Sequence, residues 1–231
     1  MVFSMCCEDD LLQEFIKFKH GESVNNDTIE KFLHYYKPKI LPTKEQFSIL
    51  DNDLKSELVS STHIYDDLSK ALLKTIYKIC LSNTKNDFPY VNINGDEIEN
   101  NLTGTFKSSS RGKAIAHIKA LLENANYIVI YDQYMGNNFK SFKDFIEQCI
   151  PQKRLTLECF GLNQDQKTTI KQIHNSYTVK DYSANNISPY QNGFHDRYIL
   201  IDRKVEIILT SGIDYLMNNK KDFTYIIRKL K

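Results

Sequence analysis

The sequence predicts an α+β or α/β protein: an N-terminal helical module with its linker over residues 1–104, then an α/β domain with a mixed sheet over 105–231. Three observations carry that reading. Up to about residue 82, apolar residues recur at helical spacing. From Thr105 onward, helical stretches alternate with short runs rich in β-branched and aromatic residues, and the last three runs follow in close succession. Charge divides at the same place, with 11 Lys+Arg against 17 Asp+Glu in residues 1–104 and 19 against 12 in residues 105–231.

The first half is read in order. EDDLLQEFIKFK (8–19) sets Leu11, Leu12, Phe15, Ile16 and Phe18 at near-helical spacing behind an acidic first turn, which suits the helix dipole. DTIEKFLHYY (27–36) is a second helix, stopped by Pro38. Thr43 opens TKEQ, the spacing of a capping box, and predicts a helix to about Ser60. HIYDDLSKALLKTIYKICLS (63–82) carries Leu68, Leu72, Ile76 and Cys80 on one stripe and predicts the longest helix. Residues 83–104, rich in Asn, Asp and Gly, read as a linker with a short strand at Tyr90–Ile93. His34 and His63 are lone histidines, read as structural.

In the second half, SRGKAIAHIKALLENA (110–125) is an amphipathic helix with Ile115, Ile118, Leu121 and Leu122 inward, followed by the strand YIVIYD (127–132). The helix 139–150 ends at Pro151. Strand 154–160, helix 164–174 and strand 177–182 follow, and then the strands RYILID, VEIILTS and DFTYIIRK.

Composition narrows the function classes. With 41% hydrophobic and 26% charged residues the chain is globular rather than disordered. No apolar run is long enough to span a membrane, and the start, MVFSMCCEDD, does not read as a secretory signal. Five cysteines without a CxxC pair or a histidine at metal spacing predict reduced thiols, a cytoplasmic protein, and neither metal nor cofactor. The basic second half suits a phosphate-bearing partner such as nucleic acid, and the acidic helical half a protein partner.

The chemistry concentrates in FHDRYILID (194–202). In a strand, His195 and Arg197 project to one side, an imidazole able to attack phosphorus beside a guanidinium able to grip phosphate oxygens. Asp202 lies at the other parity and would act from the strand end or from a neighbouring molecule. Ser211, between Thr210 and Gly212, supplies a hydroxyl at the end of the next strand; Asp214 follows, and then the basic pair Lys220 and Lys221. The run Ser108-Ser109-Ser110-Arg111-Gly112-Lys113 is either a phosphate-binding helix start, through Arg111 and Lys113, or a plain N-cap. The alternative for the whole segment is a polar strand edge whose histidine bonds within the fold. His117-x-Lys119 repeats the motif in a helical pattern, where the two side chains diverge by about 200°, and is read as coincidence.

His195-x-Arg197-x-x-x-x-Asp202 followed by Thr210-Ser211-Gly212-Ile213-Asp214 resembles the phospholipase D-like superfamily, whose signature is H-x-K-x(4)-D and a later G-S-x-N-like turn. Asp132-Gln133-Tyr134, the HDR segment and Gly212-Ile213-Asp214-Tyr215-Leu216 occur in the order of the D-P-Y, H-D-R and G-x-D-Y-F motifs in the C-terminal domain of MIT-domain-containing protein 1 of cell abscission and its small bacterial relatives. The resemblance covers about residues 105–231. It implies a phospholipase D-like fold and a metal-independent phosphodiesterase, in which one histidine attacks phosphorus to form a phosphohistidine and a second protonates the leaving oxygen; the basic second half makes nucleic acid the expected substrate, and the enzyme a nuclease. His195 would be the nucleophile, Arg197 the phosphate clamp, Asp202 the group orienting the histidine and Ser211 an oxygen donor, with Asp132, Tyr134 and Asp214 in support. One motif per chain implies a homodimer. Arginine replaces the signature lysine and Asp214 stands where asparagine is expected, so the resemblance also admits a non-catalytic module that binds an anionic lipid, nucleic acid or a protein. A helical module joined to such a domain suits a bacterial antiviral defence system.

Overall fold

The computed structural model describes residues 3–49, 55, 64–100, 102–107, 110–182 and 195–230. The chain forms a mixed α+β architecture, in which a helical N-terminal stretch precedes a larger domain built on a mixed sheet. It divides into two compact units, Met1–Asn101 and Leu102–Lys231.

In the first unit the short strand β1 (Cys6–Cys7) precedes α1 (Asp9–Lys19), α2 (Asn26–Tyr35), α3 (Lys44–Ile49) and α4 (Leu68–Leu72). Strands β2 (Cys80–Ser82) and β3 (Tyr90–Asn92) then complete a parallel sheet in the order β1-β2-β3. The expected capping box is present: Gln46 N donates to Thr43 Oγ1 at 3.2 Å and Thr43 N to Gln46 Oε1 at 3.0 Å. The continuation of that helix to Ser60 lies, apart from Lys55, outside the described residues, as does His63.

Two expectations are corrected here. Residues 63–82 are not one long helix: the helix stops at Leu72, Lys78 adopts a positive φ of 55°, and residues 80–82 are a strand. The i, i+4 stripe misled because Ile79, Cys80 and Leu81 are consecutive apolar residues, each no more than 2% exposed, as in a central strand covered on both faces. Nor is 83–104 a linker. Val91, Ile93, Ile98 and Leu102 are buried, and Asp96 accepts from the amides of Asn92 and Ile98, so the Asn- and Asp-rich stretch is turn chemistry inside a packed unit.

In the second unit β4 (Thr103–Phe106) leads into α5 (Gly112–Leu122), β5 (Tyr127–Tyr131), α6 (Phe139–Cys149), β6 (Leu155–Cys159), α7 (Gln164–Ile173) and β7 (Tyr177–Asp181). Then β8 (Arg197–Ile201), β9 (Val205–Leu209), the one-turn helix α8 (Ile213–Leu216) and β10 (Phe223–Lys229) close the unit. The sheet order is β4-β10-β9-β8-β5-β6-β7, with β5, β6 and β7 parallel and the other neighbours antiparallel. Both crossovers, β5-α6-β6 and β6-α7-β7, step the same way across the sheet, so the right-handed rule puts both helices on one face. Helix α5 joins that face: His117 Nδ1 lies 2.8 Å from the Tyr225 hydroxyl on β10. Tyr225 in turn lies over Gly104, where a Cβ would come within 2.6 Å of its ring, so only glycine fits. The opposite face carries the buried cluster Val129, Tyr131, Tyr198 and Leu200, with Tyr127, Phe160 and Tyr182 packed against it.

Among the described residues no helix is long and apolar enough to cross a membrane.

Candidate phosphate site at the sheet switch point

Strands β5 and β8 are neighbours, yet the chain leaves β5 through α6 toward β6 and returns to β8 from the far side. Next to the carboxyl end of β5 the topology therefore reverses, the place where open α/β sheets form ligand crevices. Asp132 is the first residue beyond β5 and Arg197 the first of β8. Because β8 and β9 are antiparallel with Arg197 opposite Leu209, the end of β9, carrying Thr210, Ser211 and Gly212, comes to the same edge.

Asp132 is the hub. Its carboxylate is 2% exposed, and burial of a charge demands partners. Tyr134 N donates to Oδ1 at 2.9 Å, Ile213 N donates to Oδ2 at 3.1 Å, and Arg197 Nε lies 3.7 Å from Oδ1. Arg197 Nη1 donates to the His195 carbonyl, and the guanidinium carbon sits 5.2 Å from the centre of the Tyr134 ring. Among the described residues the guanidinium makes its one hydrogen bond through Nη1, Nε is buried without one, and nothing accepts from Nη2. Gly212 is fixed by the same packing: a Cβ there would meet Asp214 Oδ1 at 2.3 Å and Asp132 Oδ2 at 3.5 Å.

Behind this edge the α8 segment is anchored by Arg111, which is 4% exposed. Its guanidinium donates to the carbonyls of Tyr215, Asn218 and Lys221 and stacks 5.7 Å from the Phe223 ring. Arg111 thus holds protein backbone where phosphate was expected, and it stands at the N-cap of α5 without a side-chain cap bond. Lys113 is half-buried on the first turn of α5; Ser108 and Ser109 lie outside the described residues. Lys221 pairs with Asp214 Oδ2 at 2.9 Å and rests 3.9 Å from the centre of the Tyr215 ring. The hydrogen bond to Asp214 raises the Lys221 ammonium above the ordinary lysine value. Lys220 is exposed beside it.

His195 is exposed in the bend that precedes β8, because the strand begins only at Arg197. The same-face argument from strand alternation therefore does not reach it, although continuing the β8–β9 register sets residue 195 across from Ser211. Among the described residues the Ser211 hydroxyl makes no hydrogen bond, whereas Thr210 Oγ1 donates to the Thr224 carbonyl at 3.2 Å. Asp202 is at the wrong end. Five strand residues, about 16 Å of β8, separate it from His195, and its Oδ1 accepts from the amides of Asn126 and Tyr127 at 3.0 and 2.8 Å. Within one chain it cannot orient His195, and its work is to fix the start of β5. His117 is fully buried against Tyr225, as expected of a coincidental motif, and His174 caps the end of α7 at the opposite edge of the sheet.

Two contributors escaped the sequence reading. The Ile213 amide ties α8 to Asp132, and Gln166 Nε2 donates to the Gly136 carbonyl at 2.9 Å, bracing the turn after β5. The first is backbone and carries no sequence signal; the second belongs to the Asn163-x-x-Gln166 capping box that starts α7, a spacing that marks the helix start and says nothing of Gly136. A separate groove of about 260 Å³ between α5 and the end of α6, lined by Lys119, Glu123 and Cys149, contains none of these residues. Among the described residues no group of three or more His, Cys, Asp or Glu is placed to hold a metal ion.

No protein-family model matches the chain, and no curated protein matches it.

Proposed function

We propose that the second unit is a phospholipase D-like domain whose edge site takes a phosphodiester, and that it acts as a metal-independent phosphodiesterase of nuclease class in a two-fold dimer. The observation that carries this reading is the state of Arg197. Its guanidinium pairs with Asp132, faces the Tyr134 ring, lies at the switch point beside His195, and among the described residues makes no hydrogen bond through Nη2. That is a clamp set for a tetrahedral anion. His195 attacks phosphorus, the leaving oxygen takes a proton from the partner chain's copy of this histidine, and water then cleaves the phosphohistidine. Among the described residues of the second unit neither His117 nor His174 reaches the site, and a two-fold partner's copy of His195 is the source of the second histidine in this reading.

A second reading is favoured by the carboxylates. Asp132 neutralises Arg197, Asp214 stands beside the anion's approach, and Asp202 is committed elsewhere. This reading makes the domain a binder of phosphate esters that no longer cuts. One experiment separates the two. The protein, with and without His195→Ala, is incubated with single-stranded DNA, RNA and a generic phosphodiester in excess chelator, and its sedimentation is followed in parallel. Turnover that survives chelation, disappears in the variant and travels with the dimer is the expected result. A monomer that binds these ligands without turnover overturns the enzyme in favour of the binder.

A further inference from the structure

Tyr134 has an arrangement that holding Arg197 does not require. Among the described residues it is the one large apolar side chain of the second unit that stands well out into solvent, at 45% exposure. Its backbone is nonetheless fixed. Its amide donates to Asp132 Oδ1, its carbonyl accepts from Asn138 N at 2.9 Å, the following Met135 is 1% exposed, and Gln166 braces Gly136. One face of the ring lies toward the Arg197 guanidinium. With nearly half of the side chain in solvent, the ring retains surface for a second flat partner.

Resting on the phosphodiester reading above, we infer that the site takes single-stranded nucleic acid, with a phosphate on Arg197 and an adjoining base stacked on Tyr134. A nucleobase attached to the bound phosphodiester is one sugar away from it and has the π face that an immobile aromatic ring selects. In a duplex that face is already stacked on its neighbours, so the ring favours an unpaired strand. A lipid head group offers the phosphate without the flat face, and its acyl chains call for an apolar surround that a single exposed ring does not supply. The excess of Lys+Arg over Asp+Glu in residues 105–231, 19 against 12, draws the rest of the strand.

The test uses the full chain and two labelled probes of equal length, an oligothymidylate and an abasic deoxyribose-phosphate oligomer, titrated by fluorescence anisotropy. Wild type is expected to bind the base-bearing probe about tenfold more tightly, the scale of one base–aromatic stack. Tyr134→Phe keeps that preference. Tyr134→Leu, which keeps an apolar cover over Arg197 without a π face, abolishes it; the readout is the ratio of the two affinities, in which any change in the Arg197 contact with phosphate is common to both probes and cancels. Equal affinities in wild type, or a preference that persists in Tyr134→Leu, overturn the stacking role while leaving the phosphate site standing. Binding of anionic-lipid vesicles that depends on Tyr134, in place of the oligomers, overturns it in favour of a lipid. If wild type binds neither oligomer, or Arg197→Ala changes nothing, the phosphodiester reading itself fails.

Discussion

At the scale of single residues, chemical type was legible and position was not. The sequence placed His195, Arg197, Asp202 and Ser211 in one constellation; the register of β8 divides it, with Arg197 and Ser211 at one edge of the sheet and Asp202 at the other. Spacing alone could not separate them, because an aspartate five residues down a strand serves equally well for chemistry or for holding the neighbouring strand's amides. Arg111 is a similar case: a basic residue at a helix start reads as an anion site, but here its donors go to three carbonyls of the α8 segment. The structural assignment of Asp202 is checkable. Asp202→Ala leaves the amides of Asn126 and Tyr127 without their acceptor and removes a side chain tolerant of the positive φ of 49°. It is expected to cost about 1–3 kcal/mol in urea unfolding, with ligand affinity of the folded protein unchanged. Unchanged stability with lost affinity would return Asp202 to the site.

At the scale of elements, the α/β half was read nearly complete. Helix and strand differ there in period, and β5, β6, β8, β9 and β10 are compact, largely apolar runs, whereas β4, TGTF, has no such run and was not read. The first half was harder because its strands are two or three residues long, too short to show alternation. Nor did the sequence show that one face of the larger sheet gathers tyrosines. Tyr131 and Tyr198 are buried there, Tyr127 and Tyr182 pack against them, and burial raises the phenol pKa of all four, Tyr182 to about 12. A phenol whose pKa is higher folded than unfolded keeps its proton in the native state after the unfolded chain has lost it, so stability falls as pH rises through that window. Unfolding free energy is therefore expected to decline from about pH 10 toward pH 12. Tyrosinate absorbance should show a late-titrating group of phenols that joins the ordinary ones once the protein is unfolded. A single early titration in the native protein would contradict the packing of this face.

At the scale of the whole molecule, the charge division visible in the sequence and the two compact units place an acidic first part before a basic second part. The site lies at one edge of the basic unit's sheet, and its own charges are largely matched, Arg197 by Asp132 and Lys221 by Asp214. Under the proposed function, attraction for a polyanion would come from the unit as a whole and selectivity from the edge. The account rests on Arg197 being a phosphate clamp, and the most direct measurement is the affinity of a single-stranded oligonucleotide for wild type, Arg197→Lys and Arg197→Ala at several salt concentrations. The prediction is affinity that falls steeply with salt in wild type, an intermediate value for Arg197→Lys, and a loss of about tenfold or more with a shallower salt slope for a folded Arg197→Ala. Equal affinity and equal salt slope in all three proteins would contradict it.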